Sequence, residues 1–155
     1  RFQRNLVDSG LASGANFGYY TQRNVGPINL VLTSTPAKGK AALKAAYGEV
    51  AHFTDPTYFT DAELESAKTI LETRDLFERE KLSEYAHTLG FWWSSTGIDY
   101  FRGYHSKLRA VTRADIDRYI KTYVQDKNHI AVAMVSAEGK KASGLTEKDL
   151  IGGAK

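Results

Sequence analysis

The sequence contains no cysteine, three prolines and a single methionine. The absence of cysteine excludes thiol nucleophiles, disulfide bonds and thiolate metal ligands, and it leaves the redox compartment open. No apolar run approaches the ~18 residues that a membrane-spanning helix needs, so we expect no membrane span. The compartment is not determined, although a periplasmic or secreted bacterial location is favoured.

Neither sign of charge dominates the chain. The chain has 21 Lys and Arg against 18 Asp and Glu, for a net charge of +3. The two signs are interleaved, and even the most cationic stretch, Arg102 to Lys121, carries Asp115 and Asp117. This pattern favours a solvated helix face over a phosphate-binding patch, so we expect no nucleic-acid partner. At 155 residues and 42% hydrophobic, the chain is long enough for one domain with a single core.

The first third of the chain predicts a helix end, a β-hairpin and a helix. Apolar residues at helical spacing stop at Gly10, and the alternating stretch ASGANFGYYTQ then predicts a strand. NVGP predicts a turn, and INLVLTST predicts a second strand that is antiparallel to the first. Pro36 is placed as the first residue of a helix that continues to Phe53.

The remainder predicts several helices and one more strand. Thr60 and Glu63 form a capping box before a helix that runs to about His87 or breaks near there. LGFWWSSTG predicts a break with exposed aromatic residues, and further helices follow from IDYFRGYHSKLRAV and after Thr112. HIAVAMVSA predicts a short central strand, and Thr146 caps a last short helix.

These elements indicate an α+β fold of two layers, a mostly antiparallel sheet with helices packed on one face. Residues 1–152 are expected to form one partial domain, and residues 153–155 a frayed tail. A sheet of three strands is thin, so we expect it to be incomplete at its N-terminus, with further strands upstream of Arg1. An incomplete sheet leaves an open edge, which predicts self-association through strand pairing or a hydrophobic face.

The four histidines form no local zinc motif. Neither H-E-x-x-H nor H-x-x-E-H occurs, and no two histidines lie within five residues of each other. Glu49 with His52, and Glu84 with His87, are two E-x-x-H pairs of the kind that bind two iron ions in helical bundles. Such a site needs two more inward-facing glutamates, for which the chain offers three candidates, Glu63, Glu72 and Glu80. The predicted strands argue against a bundle, so solvated histidines at helix ends are favoured.

Other catalytic patterns are absent or incomplete. The string Gly10-Leu-Ala-Ser13-Gly14 does not have the spacing of a G-x-S-x-G nucleophile elbow. Gly10, Gly14 and Gly18 precede a strand where a phosphate-binding loop needs a helix. The aromatic triplet Phe91 to Trp93 favours an interdomain or partner-helix contact over a substrate patch.

Four stretches, taken in order, resemble the non-metal-binding domain of the pitrilysin/insulinase family of zinc metallopeptidases. They are LVDSGLASGANFGYYTQRNVGPINLVLTSTP, TDAELESAK, IDYFRGYHSKLRAVTRADIDRYIKTYV and HIAVAMV. Each is weakly specific alone, but the resemblance covers nearly all of residues 1–152. It implies a longer domain whose first strands and helix are missing here, so the chain is expected to begin inside a helix.

The resemblance implies that this domain is a chamber wall without catalysis of its own. The zinc motif belongs to a sister domain, so the chain is expected to hold no cofactor, and zinc is bound elsewhere in the parent protein. An extended peptide substrate is expected to add along a strand edge, at Ala15, Asn16, Phe17, Gly18, Tyr19 and Tyr20.

One departure from the family weakens the expectation of an active peptidase. Family members often carry an Arg before the Gly-Leu-Ala string and a Tyr after it, both facing substrate. The aligned positions here hold Leu6 or Val7, and Ser13, while Tyr19 and Arg23 lie downstream. None of the three aligned side chains replaces a guanidinium or a phenol. A structural or assembly subunit of the same fold is therefore the alternative function.

Overall fold

The computed structural model describes residues 1–151, so the predicted tail at 153–155 lies outside the described residues. A π-helical segment, Gln3–Asp8, precedes strands β1 (Gly14–Tyr19) and β2 (Ile28–Thr33). Eight α-helices follow: α1 (Pro36–Ala51), α2 (Asp61–Glu78), α3 (Leu82–Ser95), α4 (Ile98–Arg102), α5 (Tyr104–Ala110), α6 (Arg113–Tyr123), α7 (Ala137–Ser143) and α8 (Glu147–Leu150). The predicted α+β class is therefore confirmed at this coarse level.

The predicted antiparallel hairpin is confirmed. Its register sets Gly14 opposite Thr33 and Tyr19 opposite Ile28. Burial along β2 alternates between half-buried and exposed residues, as expected for a sheet with one face on the core. Within residues 1–151 the sheet has these two strands alone.

A small core lies beneath the hairpin. Leu6, Ala12 and Ala46 are buried together, from the π-helical segment, the following loop and α1. The side chains of Ala15, Leu30 and Leu32 pack against them from one face of the hairpin. Phe2, Phe17 and Phe53 extend this core as an aromatic cluster, with Phe17 edge-on to Phe53 at 5.1 Å between ring centroids. The inward face of β1 is therefore fixed by apolar packing.

α1 begins at Pro36 as predicted, after an extended Thr35. It packs along α7 and also contacts α8. Lys40 Nζ on α1 lies 3.0 Å from the Asp149 carboxylate on α8. A backbone hydrogen bond from Gly139 to the Ser136 hydroxyl caps α7, a helix that the sequence pattern did not predict.

The predicted helix caps are confirmed. At the start of α2, the Thr60 hydroxyl accepts from the Glu63 backbone, and the Glu63 carboxylate accepts from the Thr60 backbone. Thr146 and Asp149 form the same reciprocal arrangement at α8. Thr112 and Asp115 exchange equivalent bonds before α6. These caps are local in sequence, which is why spacing alone predicts them.

The predicted third strand, HIAVAMVSA, is wrong. Residues 127–136 have no regular secondary structure, and Ala137 instead begins α7. Ile130, Val132 and Met134 are 94%, 80% and 95% exposed. The residue types favour a strand, but a strand exists only when a neighbour takes its backbone hydrogen bonds, and no other part of residues 1–151 does so here.

The predicted break at LGFWWSSTG is confirmed only at the end of that stretch, where α3 ends at Ser95 and Thr96 and Gly97 precede α4. α3 continues from Leu82 to Ser95 and includes all three aromatic residues of FWW. Another break lies at residues 79–81, so the long helix ends earlier than expected, and His87, where it was expected to end or break, lies within α3. Gly103 separates α4 from α5, where a single helix was expected.

The chain divides into two compact units. The first comprises Arg1–Tyr19, Ile28–Thr54 and the chain from Ile120 onward, and the second comprises Tyr20–Pro27 and Asp55–Tyr119. The first unit holds the hairpin, α1, α7 and α8, and the second holds α2 to α5. The expectation of one domain over residues 1–152 stays a prediction. Among the described residues, no helix combines the length and apolar character needed to cross a bilayer.

Candidate functional site

The outer edge of β1 is the candidate site, because its backbone groups are the ones a peptide strand would use. Tyr20 donates its N–H to the Pro27 carbonyl at 3.0 Å, which sets the phase of the hairpin ladder. Because inward and outward hydrogen bonds alternate along an antiparallel strand, Ala15, Phe17 and Tyr19 point their N–H and C=O groups away from β2. Outside the hairpin, these groups form no backbone hydrogen bond with any described residue.

The six predicted peptide-binding residues divide by side-chain orientation. Ala15 and Phe17 face the core, so only their backbone is placed to contact a ligand. Asn16 points to the opposite, exposed face, and Gly18 follows on that face. Tyr19 is 54% exposed at the end of β1. Tyr20 is 60% exposed and belongs to the turn assigned to the second unit.

The positions that the resemblance aligns with an Arg and a Tyr of pitrilysin-type peptidases offer no substitute for that pair. Leu6 is fully buried and belongs to the core. Val7 is half-buried and has no polar side-chain atom. The Ser13 hydroxyl donates to the Thr33 carbonyl at 3.3 Å, within the hairpin. Arg23 is an exposed residue of the turn.

The two E-x-x-H motifs lie in different units of the chain. Glu49 and His52 belong to the first unit and Glu84 and His87 to the second, and Glu49 accepts a hydrogen bond from Asn5. Of the nominated partners, Glu72 is engaged by an arginine, and Glu63 serves in the cap of α2. Within residues 1–151, no group of three His, Asp or Glu side chains is placed to hold a metal ion.

A charged network in the second unit was not found from the sequence. Arg109 on α5 donates from Nε to the Glu72 carboxylate on α2 at 2.6 Å and also contacts Glu65. Its hydrogen bond lowers the pKa of Glu72, and the same bond raises the pKa of Arg109. Lys68, 5% exposed, donates to Glu65 and to the Arg109 carbonyl. Arg109 lies 37 residues from Glu72 and 44 residues from Glu65 in the sequence, so no local motif predicts these contacts.

Beside it, His105 Nε2 lies 2.7 Å from an Asp75 oxygen that Arg79 also contacts. Burial raises the pKa of the neighbouring Tyr104 hydroxyl. The contact with His105 ties α5 to the Asp75 carboxylate on α2, and no hydroxyl of residues 1–151 forms a hydrogen bond with this histidine. This arrangement connects helices and does not form a Ser-His-Asp triad.

The aromatic triplet of α3 is divided between interior and surface. Trp92 stacks on Tyr100 and Phe101 and also contacts Tyr104. Trp93 is 74% exposed. Trp92 thus packs α3 against α4 and α5, while Trp93 remains available at the surface of the second unit.

In the first unit, Tyr47 joins three elements. Its hydroxyl donates to the Leu150 carbonyl at 2.5 Å and lies 2.8 Å from His129 Nε2. Burial raises the pKa of Tyr47, so it remains a neutral donor at physiological pH. It therefore ties α1 to α8 and to the start of the irregular segment that follows α6.

No protein-family model, no curated protein and no solved structure matches the chain.

Proposed function

We propose that this chain is a non-catalytic, peptide-binding part of a pitrilysin-like zinc peptidase. The observation that carries the proposal is the outer edge of β1, where three residues direct backbone groups away from the hairpin. The resemblance of the sequence to the non-metal-binding domain of that family supports it. Zinc chemistry would belong to the sister domain, and no step of it is assigned to residues of this chain.

Binding would proceed by strand addition. An extended peptide placed beside β1 would exchange hydrogen bonds with Ala15, Phe17 and Tyr19. Because the Ala15 and Phe17 side chains are held in the core, the β1 edge would contact mainly the backbone of the peptide. It would therefore discriminate little between peptide sequences. The two-layer fold of the family would hold this edge toward the enclosed chamber.

The test compares Tyr19→Pro with Tyr19→Ala. Both variants lose the same exposed phenol, but only proline loses the outward N–H, and neither breaks a hydrogen bond of the hairpin. Fluorescence anisotropy with a labelled extended peptide should show unchanged affinity for Tyr19→Ala. Tyr19→Pro should weaken it about fivefold, since one hydrogen bond is worth ~1 kcal/mol.

The same titration with a peptide that is N-methylated at alternate residues provides a second control, because N-methylation removes the donors that strand addition needs. Equal affinity of the two Tyr19 variants, or tight binding of the N-methylated peptide, would contradict the proposed edge.

A structural assembly subunit is the second candidate function. The observation that favours it is the apolar surface of the second unit, where Ile70, Phe77, Leu82 and Trp93 are each more than 60% exposed. Large exposed apolar surfaces of this kind mark interfaces with other proteins. The sequence of the whole parent protein discriminates between the two: an intact H-x-x-E-H motif supports the peptidase, and its absence supports the assembly subunit.

A further inference from the structure

The segment Ile130–Val135, here called the apolar segment, has the composition of a strand. It contains no charged residue, glycine or proline, and the nearest charged neighbours are Lys127 and Glu138. Alternate residues Ile130, Val132 and Met134 are 80% or more exposed. Its backbone groups form no hydrogen bond with another described backbone group. Short, uncharged segments of this kind pair readily with other strands.

The apolar segment is held at both ends. At its start, His129 lies 2.8 Å from the Tyr47 hydroxyl on α1. At its end, Ser136 caps α7, and Gly139 of that helix packs closely against Val135 and Pro36. Since both anchors belong to the first unit, the segment is presented at a defined place on it.

We propose that the apolar segment pairs antiparallel with the same segment of a second copy of this chain, centred on Val132. In this register Val132 faces its own counterpart, and Ile130 faces Met134. Ala131 faces Ala133 on the other side of the strand. The large side chains then form one continuous face across both copies, and the small ones form the other.

A second copy fits the apolar segment because the segment is self-complementary. A two-fold axis through Val132 opposes apolar residues with apolar residues and brings no like charges together within the segment. Each copy also supplies the strand that the other lacks, so the backbone groups on the facing edge of each segment gain partners. A pair of six-residue strands buries less than a standard protein interface, so the dimer would be weak and reversible. The pairing shares no residue with the β1 edge and does not depend on the peptide-binding proposal.

The absence of native cysteine allows the register to be tested with single cysteines. Under mild oxidation at high protein concentration, Val132→Cys should form a covalent dimer, because directly opposed Cα atoms lie within disulfide range. Ile130→Cys and Met134→Cys should each fail alone, since their symmetry mates would be about 13 Å apart along the strand. A mixture of these two variants should cross-link. All three positions are exposed, so the substitutions should preserve the fold, which circular dichroism checks.

Sedimentation velocity provides an independent measurement of dimer formation, with one lysine substitution inside the apolar segment and a matched control outside it. Val132→Lys places two like charges opposite each other and should abolish the dimer. Val25→Lys, at an equally exposed valine outside the segment, should leave the dimer unchanged.

Several outcomes would overturn the proposal. One is a wild-type chain that stays monomeric at millimolar concentration; another is a Val132→Cys variant that does not cross-link. Efficient cross-linking of all three single-cysteine variants would indicate parallel pairing or random collision. Uptake of an added extended apolar peptide without dimer formation would identify a different strand as the occupant.

Discussion

At the residue scale, Thr146 and Asp149 show how a helix cap lowers the pKa of a carboxyl group. The Asp149 carboxylate accepts hydrogen bonds from the Thr146 hydroxyl and backbone N–H and lies beside Lys40 of α1. The Thr146 hydrogen bonds, followed by Lys40, lower the pKa of Asp149 from 3.8 to about 2. The charged form is therefore the one that the folded state prefers.

This shift predicts an acid-dependent loss of stability. Because the folded-state pKa lies below the unfolded value, the stabilisation is fully present above pH 4 and disappears as pH falls toward 2. Urea midpoints measured at pH 5, 3 and 2 should decline, and Asp149→Asn should flatten part of that decline. Asp99→Asn, at a side chain that is 97% exposed, is the control and should follow the wild type. An identical pH profile for Asp149→Asn and the wild type would refute the assignment.

At the element scale, α1 and α7 meet through glycine. A Cβ built on Gly139 would lie 2.7 Å from Val135 Cγ2 and 3.1 Å from Pro36 Cγ, so the two helices approach where no side chain fits. Gly48, inside α1, has open space instead. The two glycines therefore occupy helices for different reasons, although helix propensity treats them alike.

Alanine substitution should separate these roles. Gly48→Ala should stabilise the protein by ~0.5–1 kcal/mol, because alanine loses less backbone entropy in a helix. Gly139→Ala should destabilise it by ~1–3 kcal/mol through overpacking against Val135 and against Pro36 of α1. Urea unfolding followed by far-UV circular dichroism measures both. Midpoint shifts of the same sign would show that the close approach at Gly139 relaxes without cost.

At the scale of the whole molecule, several acidic and basic side chains pair with one another or cap helices. Examples are the Glu72–Arg109 pair in the second unit and the Lys40–Asp149 pair in the first. Large apolar side chains are exposed on α2 and α3 as well as along the apolar segment. Such a surface suits a protein that works in contact with other polypeptides.

The proposed role predicts the metal content of the isolated chain. After exhaustive dialysis, elemental analysis should find no stoichiometric metal, because the zinc of the parent protein is proposed to lie in the sister domain. Stoichiometric iron or manganese would support a site built on the E-x-x-H pairs and contradict the domain assignment. Bound zinc would point to a site assembled from distant residues.

What the sequence determined by itself is local. The hairpin, the Pro36 helix start and the caps at Thr60 and Thr146 depend on groups a few residues apart, so spacing and residue type are sufficient to predict them. The peptide-binding stretch from Ala15 to Tyr20 is implied by the family resemblance and stays a prediction.

Only the tertiary structure decided the rest. HIAVAMVSA has every local property of a strand and is not one, since a strand depends on a neighbour that sequence periodicity cannot supply. FWW belongs to α3, where Trp92 packs on residues of α4 and α5, and the Arg109 network joins residues about 40 positions apart. Side-chain pairing at such distances depends on the path of the whole chain, which local pattern does not contain.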